Sequence, residues 1–253
     1  MWHRVLLDEP GLRVAEVRCG GGAGWSELES VTSHALVLAR QGVFRRRVDG
    51  KESLVDPVTG YLQVPGGEQQ IAHPAGGDVC TSIRLDPGSC PPPRDSRLLV
   101  RPAADLAHRR LIAGVAGSSD PVRLADLASA LVAALLVDLV AVGADRRGHR
   151  LVNQVREALY HDPNARLTAL SRRLAVSPYH LSRVFHRVTG VPLAGYRGQL
   201  RARRAMDLLA RGDASIGHVA ATLGYADQAH LTRALRAQTG ATPRQLRRLL
   251  HQG

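Results

Sequence analysis

The sequence is poor in the residues that mark several large classes of protein. Its 253 residues include one lysine (Lys51), two phenylalanines and three cysteines. An odd number of cysteines does not fit a disulfide framework and favours a reducing compartment. Runs of about 18 apolar residues are also missing, since Asp126 and Asp138 interrupt the most apolar window, so no membrane span is expected.

The chain also lacks the marks of a secreted protein or of an enzyme. Its first residues, MWHRVLLDEPGLRV, have neither the apolar core nor the cleavage site of a signal peptide, which predicts a cytoplasmic location. The first half has no His-x-His pair and no recognisable nucleophile–base set. Its GGGAG stretch at Gly20–Gly24 is not followed by a helical pattern, so it is interpreted as a loop rather than a phosphate cradle. We therefore predict no enzymatic activity, no cofactor and no metal.

Positive charge is abundant but confined to one end of the chain. Residues 1–149 carry 17 Lys+Arg and 17 Asp+Glu, whereas residues 150–253 carry 17 Lys+Arg and 5 Asp+Glu. The entire net charge of +12 therefore lies in the second segment. A compositional bias toward arginine would not produce this division. It predicts a neutral domain joined to one that meets a polyanion.

The first hundred residues alternate between short apolar runs and turn signals. The runs predict strands at Leu12–Arg18, Ala35–Ala39, Val43–Val48, Gly60–Val64, Gln69–Ala72 and Val79–Leu85. Many short strands at this spacing are typical of an antiparallel barrel or sandwich. The consecutive prolines of CPPPRD (Cys90–Asp95) end the β region.

Two helices are predicted next, near Ala104–Val115 and at Pro121–Val142, the second opened by Asp120 as N-cap. The second has a wide apolar face that includes Leu124, Leu131 and Leu135. This face fits docking onto the β domain or a dimer seam equally well. The polar stretch GADRRGH (143–149) predicts a linker.

A segment near the C-terminus occurs twice, as HLSRVFHRVTG (His180–Gly190) and HLTRALRAQTG (His230–Gly240). Each copy follows a short amphipathic helix and a turn, with Ser177 or Asp227 placed as N-cap. Helix, tight turn and helix, written twice, predict two helix-turn-helix units, which the long helix Leu193–Ala210 joins.

The second helix of such a unit enters the major groove of DNA. Leu181, Phe185, Leu231 and Leu235 are spaced to face the cores, which leaves polar residues on the outer face. Arginine can pair with guanine, and glutamine with adenine, through two parallel hydrogen bonds. The predicted base-reading residues are Tyr179, Ser182, Arg183, His186, Gln228, Thr232 and Arg233, and the predicted phosphate contacts are Arg187, Arg197, Arg201 and Arg236.

From about Leu151 to Leu250 the chain resembles the AraC/XylS family of transcriptional regulators. The family's second unit usually follows the pattern iA…GF.d.s.F.r.Fk...G.tP..yR, and this chain has VAATLGYADQAHLTRALRAQTGATPRQLR. It departs at Tyr225, Leu231 and Leu235, where phenylalanine is common, and at Leu246, where tyrosine is usual. All four positions stay apolar, so the fold is expected to persist with a looser core.

The resemblance implies an α+β chain: an N-terminal cupin-like antiparallel β-barrel with trailing helices, then an all-α domain with two helix-turn-helix units. The predicted domains are a regulatory barrel at 1–93, a helical and dimerising segment at 94–142, a linker at 143–149 and the DNA-binding domain at 150–253. The implied partners are double-stranded promoter DNA, a small-molecule effector, RNA polymerase and a second copy that pairs through 121–142.

Three alternatives stay open from the sequence. One is a cupin-type metal enzyme fused to a DNA-binding domain. Another is a thiol or soft-metal sensor that uses Cys80 and Cys90, with Cys19 or His73 nearby; burial as small apolar residues is the simpler interpretation of these cysteines. The last is an architectural DNA binder with no effector.

Overall fold

A computed structural model of the protein describes residues 2–22, 24–74, 76–85, 96–117, 120–136, 139–141 and 146–251. These residues form two compact units, of which the first comprises 1–100 and 132–144 and the second 101–131 and 145–253. The first unit is built from β-strands, and the second is helical. No helix among the described residues is long and apolar enough to cross a membrane.

The first unit consists of two antiparallel sheets. Its strands are β1 Trp2–Glu9, β2 Leu12–Cys19, β3 Glu29–Ser30, β4 Ala35–Gln41, β5 Phe44–Val48, β6 Lys51–Val55, β7 Thr59–Gln63, β8 Glu68–Ala72, β9 Asp78–Leu85, β10 Ser96–Leu99 and β11 Leu139–Ala141. One sheet has the order β1-β2-β9-β4-β7-β10-β11 and the other β3-β8-β5-β6. All six predicted strands are present, within a few residues of their predicted ends.

The two sheets face each other across a shared apolar core. Val37 of β4, Tyr61 of β7 and Cys80 of β9 pack with Phe44 of β5 and Ile71 of β8 from the opposite sheet. No strand pair joins the two sheets among the described residues, so the barrel is open rather than closed. The predicted antiparallel, roughly cupin-like architecture is confirmed in this open form.

The sequence analysis missed β6 because DGKES was assigned to a turn. The turn itself takes only Asp49 (φ 46°) and Gly50 (φ 75°), and Val48 pairs directly with Lys51. Asp-Gly with positive φ at both central residues is the sequence that a two-residue hairpin turn requires. The strand therefore begins at the first residue after the glycine.

The second unit contains the helices α1 Pro102–Ala116, α3 Arg146–His161, α4 Leu167–Arg173, α5 Pro178–Thr189, α6 Leu193–Arg211, α7 Ile216–Thr222, α8 Gln228–Thr239 and α9 Pro243–His251, together with most of α2 Pro121–Leu136. One core of this unit is built on α6, α7 and α8, around Met206, Val219 and Leu231. Leu106 of α1 belongs to this core, and α1 contacts α6, α8 and α9.

The boundaries between the two units differ from the predicted domain boundaries. The segment 94–142 is not a separate layer, because α1 packs with the helix-turn-helix helices and β11 returns to pair with β10. The helix predicted to run to Val142 ends at Leu136, and Leu139–Ala141 is a strand. The prediction was wrong there because a short apolar run has no periodicity that separates a strand from a helix end. The end of the barrel at 93 and the start of the linker at 143 lie outside the described residues. The predicted linker is wrong over 146–149, because these residues form the first turn of α3.

The apolar face of α2 is already used within the chain. Leu124, Ala128, Leu131 and Leu135 recur at helical spacing and are buried. Val122 is the large apolar residue that α2 exposes most. The stripe is therefore covered within one protomer. Docking onto the β domain and the dimer seam both stay predictions.

Candidate nucleic-acid interface

The first helix-turn-helix unit consists of α4, the turn Leu174–Ser177 and α5. The Val176 backbone N–H donates to the Ser171 carbonyl at 3.0 Å, which folds the chain back at the end of α4. The Ser177 hydroxyl then accepts from the His180 backbone N–H at 3.1 Å, and Pro178 occupies the first turn of α5. The predicted N-cap is confirmed, and it fixes where the second helix begins.

The second unit, α7, the turn Leu223–Asp227 and α8, repeats this arrangement with one more residue in its turn. The Tyr225 backbone N–H donates to the Ala220 carbonyl at 2.9 Å, in the place of the Val176 bond. The Asp227 carboxylate accepts from the His230 backbone N–H at 2.6 Å, which confirms the second predicted N-cap. Tyr225, which occupies the position of Val176, lies in the core of this unit.

Both turns need a left-handed residue at their second position. Gly224 has φ 69° there, and Ala175 has φ 52° in the first unit. A left-handed alanine costs roughly 1–2 kcal/mol, against about 0.4–1 kcal/mol of chain entropy that glycine adds to the unfolded state. We expect Ala175→Gly to raise the free energy of unfolding of the helical unit by up to about 1 kcal/mol, measured by urea denaturation followed by helical circular dichroism.

The matched control for this substitution is Gly224→Ala. It places a Cβ at positive φ, 3.3 Å from the Asn164 side chain, and should lower the same free energy. A destabilised Ala175→Gly protein would show that the turn of the first unit is not strained.

The inner face of each second helix is buried, as the spacing predicts. Leu181, Phe185, Leu231 and Leu235 have no exposed surface. The Phe185 ring meets Tyr196 of α6 edge-on, with centroids 5.3 Å apart. Each second helix is therefore held against its own core, which leaves the opposite face for a ligand.

The outer face of α5 gathers the predicted residues of the first unit. Tyr179 is 71% exposed, and the Arg183 guanidinium carbon lies 5.4 Å from its ring centroid. A shallow depression of about 380 Å³ is lined by Tyr179, Ser182, Arg183, His186, Arg187 and Pro192. The cation–π contact holds Arg183 over the helix and limits the directions that its guanidinium can take.

The outer face of α8 presents the predicted residues of the second unit. Gln228, Arg233 and Arg236 are exposed, and Thr232 is half-buried. The Thr232 hydroxyl donates to the Gln228 carbonyl at 2.8 Å, so its hydrogen is engaged within the helix. Arg183 and Arg233 are each the sixth residue of their helix and occupy equivalent positions.

Two predicted phosphate contacts, Arg197 and Arg201, are engaged inside the domain. Arg197 donates to the carbonyls of Pro163 and Asn164, at 3.0 and 3.2 Å. Burial, followed by the charge of Arg201, lowers the pKa of Arg197. The Arg201 guanidinium lies 5.1 Å from the Tyr225 ring centroid. These groups stabilise the unit, and only their remaining N–H groups could meet a phosphate.

Other arginines of α6 and α9 also have structural partners. Arg204 donates to the carbonyls of Tyr160 and His161 at the C-terminus of α3, and Arg247 donates to the Ala214 carbonyl. Orphan carbonyls at a helix end are favourable sites for a cation. Part of the positive excess of residues 150–253 is therefore structural, which the charge count could not reveal.

The predicted thiol residues lie in the β unit. Cys19 is half-buried and Cys80 is buried, whereas Cys90 lies outside the described residues. Burial, and then the neighbouring Asp78 carboxylate, raises the pKa of the Cys80 thiol well above its usual value. A reactive thiol needs the opposite shift, so the structure does not favour Cys80 as a redox nucleophile.

Comparison with known proteins locates similarity in the helical part of the chain. Residues 170–249 match the family model described as a helix-turn-helix domain. The chain is 41% identical over 83 residues to "HTH-type transcriptional regulator GlxA" of Rhizobium meliloti (strain 1021), a match that covers 32% of this chain and 25% of that protein. It is 29% identical over 101 residues to the "Arabinose operon regulatory protein" of Escherichia coli (strain K12), which covers 38% of this chain and 35% of that one.

A solved structure covers a similar stretch. It is the C-terminal domain of AraT, described as a response regulator from Geobacillus stearothermophilus, with 26% identity and a TM-score of 0.37, over 39% of this chain and 84% of that one. A score of this size supports no conclusion about the fold. The chain spans only a quarter to about a third of the length of the two curated relatives.

Proposed function

We propose, from the premise that the C-terminal part of this chain is an AraC-type helix-turn-helix domain, that the protein is a transcriptional regulator that binds promoter DNA in a sequence-specific manner. The observation that carries the proposal is the equivalence of Arg183 and Arg233. Two capped helices, each packed on its own core, expose an arginine at the same position. A surface that served only solubility would not require an arginine at the same position of both helices.

The exposed residues of α5 and α8 fall into two groups, those that can contact base edges and those that can contact the DNA backbone. The outer face of a recognition helix meets base edges, and its flanks meet the backbone. In this proposal the bases are read by Tyr179, Ser182, Arg183, His186, Gln228, Thr232 and Arg233. Arg187 and Arg236, in the last turns of α5 and α8, bind phosphates. Arg197 and Arg201 bind phosphates only through the N–H groups that are not engaged in contacts within the domain.

The β unit supplies the regulatory part of the proposal. A partly open cavity of about 360 Å³ lies between its two sheets, and this volume is within the range of small-molecule sites. Polar side chains of both sheets, among them Gln63, Gln69 and Ser82, line it beside apolar ones. An effector bound there regulates the protein only if it binds two states of the chain with different affinities.

The proposal predicts recovery of a few promoter fragments when full-length protein is incubated with fragmented DNA of its own genome and bound fragments are sequenced. Affinity for the selected fragments should fall steeply as salt is raised from 50 to 200 mM, because bound phosphates release counterions. A shuffled fragment of equal length and composition serves as the control. Equal binding to selected and shuffled DNA at every salt concentration would contradict sequence-specific recognition.

A further inference from the structure

Four side chains that can bind a metal lie close together in the wall of the β-unit cavity. They are Cys19 at the end of β2, His73 just after β8, and Asp78 and Cys80 in β9, and all four line the cavity. A ligand atom from each of Cys19, His73 and Asp78 lies within 4.8 Å of the other two. The Cys80 sulfur lies 2.8 Å from Asp78 Oδ2. Four donors from separated parts of the sequence thus share one small volume.

The members of this cluster contact one another directly. His73 Nδ1 and Asp78 Oδ1 are 2.7 Å apart and form an ion pair when the imidazole is protonated. Both atoms are removed from solvent. A divalent cation that replaces the proton of this pair would be held by the same nitrogen and the same carboxylate.

The backbone holds these residues together independently of their side chains. The register of β2 and β9 places Cys19 directly opposite Asp78. The His73 backbone N–H donates to the Gly22 carbonyl at 2.9 Å, which ties the end of β8 to the loop after β2. The donors therefore sit on fixed strand ends, as a preorganised metal site requires.

Glycines allow this close approach. A Cβ added to Gly77 would lie 2.4 Å from the Cys19 carbonyl oxygen, and one added to Gly42 would lie 2.6 Å from Asp78 Cβ. Real Cβ atoms do not tolerate such distances. Glycine at these two positions is thus needed to bring the strand ends that carry Cys19 and Asp78 into contact.

We propose that the β unit binds a borderline-soft divalent cation of the Zn²⁺ type through Cys19 Sγ, His73 Nδ1 and the Asp78 carboxylate, with Cys80 Sγ completing the set. Thiolate, imidazole and carboxylate are the ligands that zinc takes in proteins, at about 2.0–2.3 Å and in tetrahedral geometry. Two sulfurs disfavour Ca²⁺ and Mg²⁺, which take oxygen ligands. The site does not depend on the proposed DNA-binding function.

Cobalt substitution of the full-length protein tests the proposal. The reduced protein is stripped with a chelator and titrated with Co²⁺, and Zn²⁺ is then added. We expect one equivalent of Co²⁺ to give the visible bands of a tetrahedral site and a thiolate-to-cobalt charge-transfer band, all of which Zn²⁺ removes. Cys19→Ser and Asp78→Asn should each weaken Zn²⁺ binding by more than about tenfold, since loss of even an outer partner costs that much.

Two control variants keep the outcome interpretable. Cys90→Ser removes a thiol outside the proposed set, and His3→Ala removes another imidazole that lines the same cavity. Both should bind Zn²⁺ as the unaltered protein does, and thermal melting of each variant checks that it is folded. Folded, unaltered protein without the cobalt–thiolate band would overturn the proposal, and so would equal losses in Cys90→Ser and Cys19→Ser. DNA binding by the same preparations is assayed separately. Its outcome tests the proposed regulatory function and has no bearing on the metal site.

Discussion

Replacing Arg183 and Arg233 together with alanine is expected to weaken binding to the selected promoter fragment by about 2–6 kcal/mol, since each base-reading arginine contributes about 1–3 kcal/mol of discrimination. The two losses should add, because the arginines belong to different units and have separate partners. Binding to the shuffled fragment should fall much less. Fluorescence anisotropy with labelled fragments at one fixed salt concentration measures both affinities.

The comparison variant is Arg236→Ala, which removes an arginine from the last turn of α8. As a phosphate contact it should weaken binding to both fragments by the same factor and reduce the slope of affinity against salt by about one unit. If the double variant also loses the same amount of affinity for the selected and the shuffled fragment, Arg183 and Arg233 are phosphate contacts. The base-reading assignment would then be wrong, although the DNA-binding function would stand.

Asp105→Asn is expected to lower the free energy of unfolding of the helical unit by about 3–5 kcal/mol, the usual cost of breaking a buried ion pair. Asp105 of α1 is buried and accepts from Arg109 Nε at 2.9 Å, and Arg203 Nε of α6 is 3.9 Å away. Arg109 also reaches the Asp207 carboxylate of α6 at 2.5 Å. Asparagine keeps the shape of the side chain but leaves two cations of this cluster without their shared carboxylate.

Urea denaturation followed by helical circular dichroism measures this loss. Both tryptophans, Trp2 and Trp25, lie in the β unit, so their fluorescence follows the other unit in the same sample. The matched control, Asp213→Asn, removes an exposed carboxylate and should change the free energy by less than about 0.5 kcal/mol. If Asp105→Asn lowers the free energy of unfolding by less than about 1 kcal/mol, this cluster does not stabilise the packing of α1 in the helical unit.

The same cluster should make the helical unit sensitive to acid. Burial alone raises the pKa of Asp105, but Arg109 and Arg203 outweigh it and hold the pKa below the usual 3.8. A lowered pKa contributes stability that is present above the unfolded value and is lost as the pH falls through the folded one. The stability difference between the unaltered protein and Asp105→Asn should therefore be constant near neutral pH and shrink below about pH 4.

The helix-turn-helix units could be predicted because their signals are local. Ser177 and Asp227 accept hydrogen bonds from residues three positions onward, and the buried apolar residues of α5 and α8 recur within two turns. Such features depend on neighbours in sequence, so composition and spacing reveal them. The exposed arginines of α5 and α8 follow from the same periodicity.

The functions of other arginines could not be predicted, since they depend on carbonyls distant in sequence. Arg197 and Arg204 of α6 donate to backbone groups 34 and 44 residues away. On a helical wheel they resemble the exposed arginines of α5. A charge count therefore overstates how many cations the DNA-facing surface offers.

By itself, the sequence determined the β-then-α order, both helix-turn-helix units and the position of the charge, because each is written in local pattern or composition. Only the tertiary structure decided that α1 joins the helical unit, that β11 returns to the sheet, and that Cys19, His73 and Asp78 meet. Strand register and long-range packing bring these groups together. Pairing between distant segments has no signature in any short window of sequence.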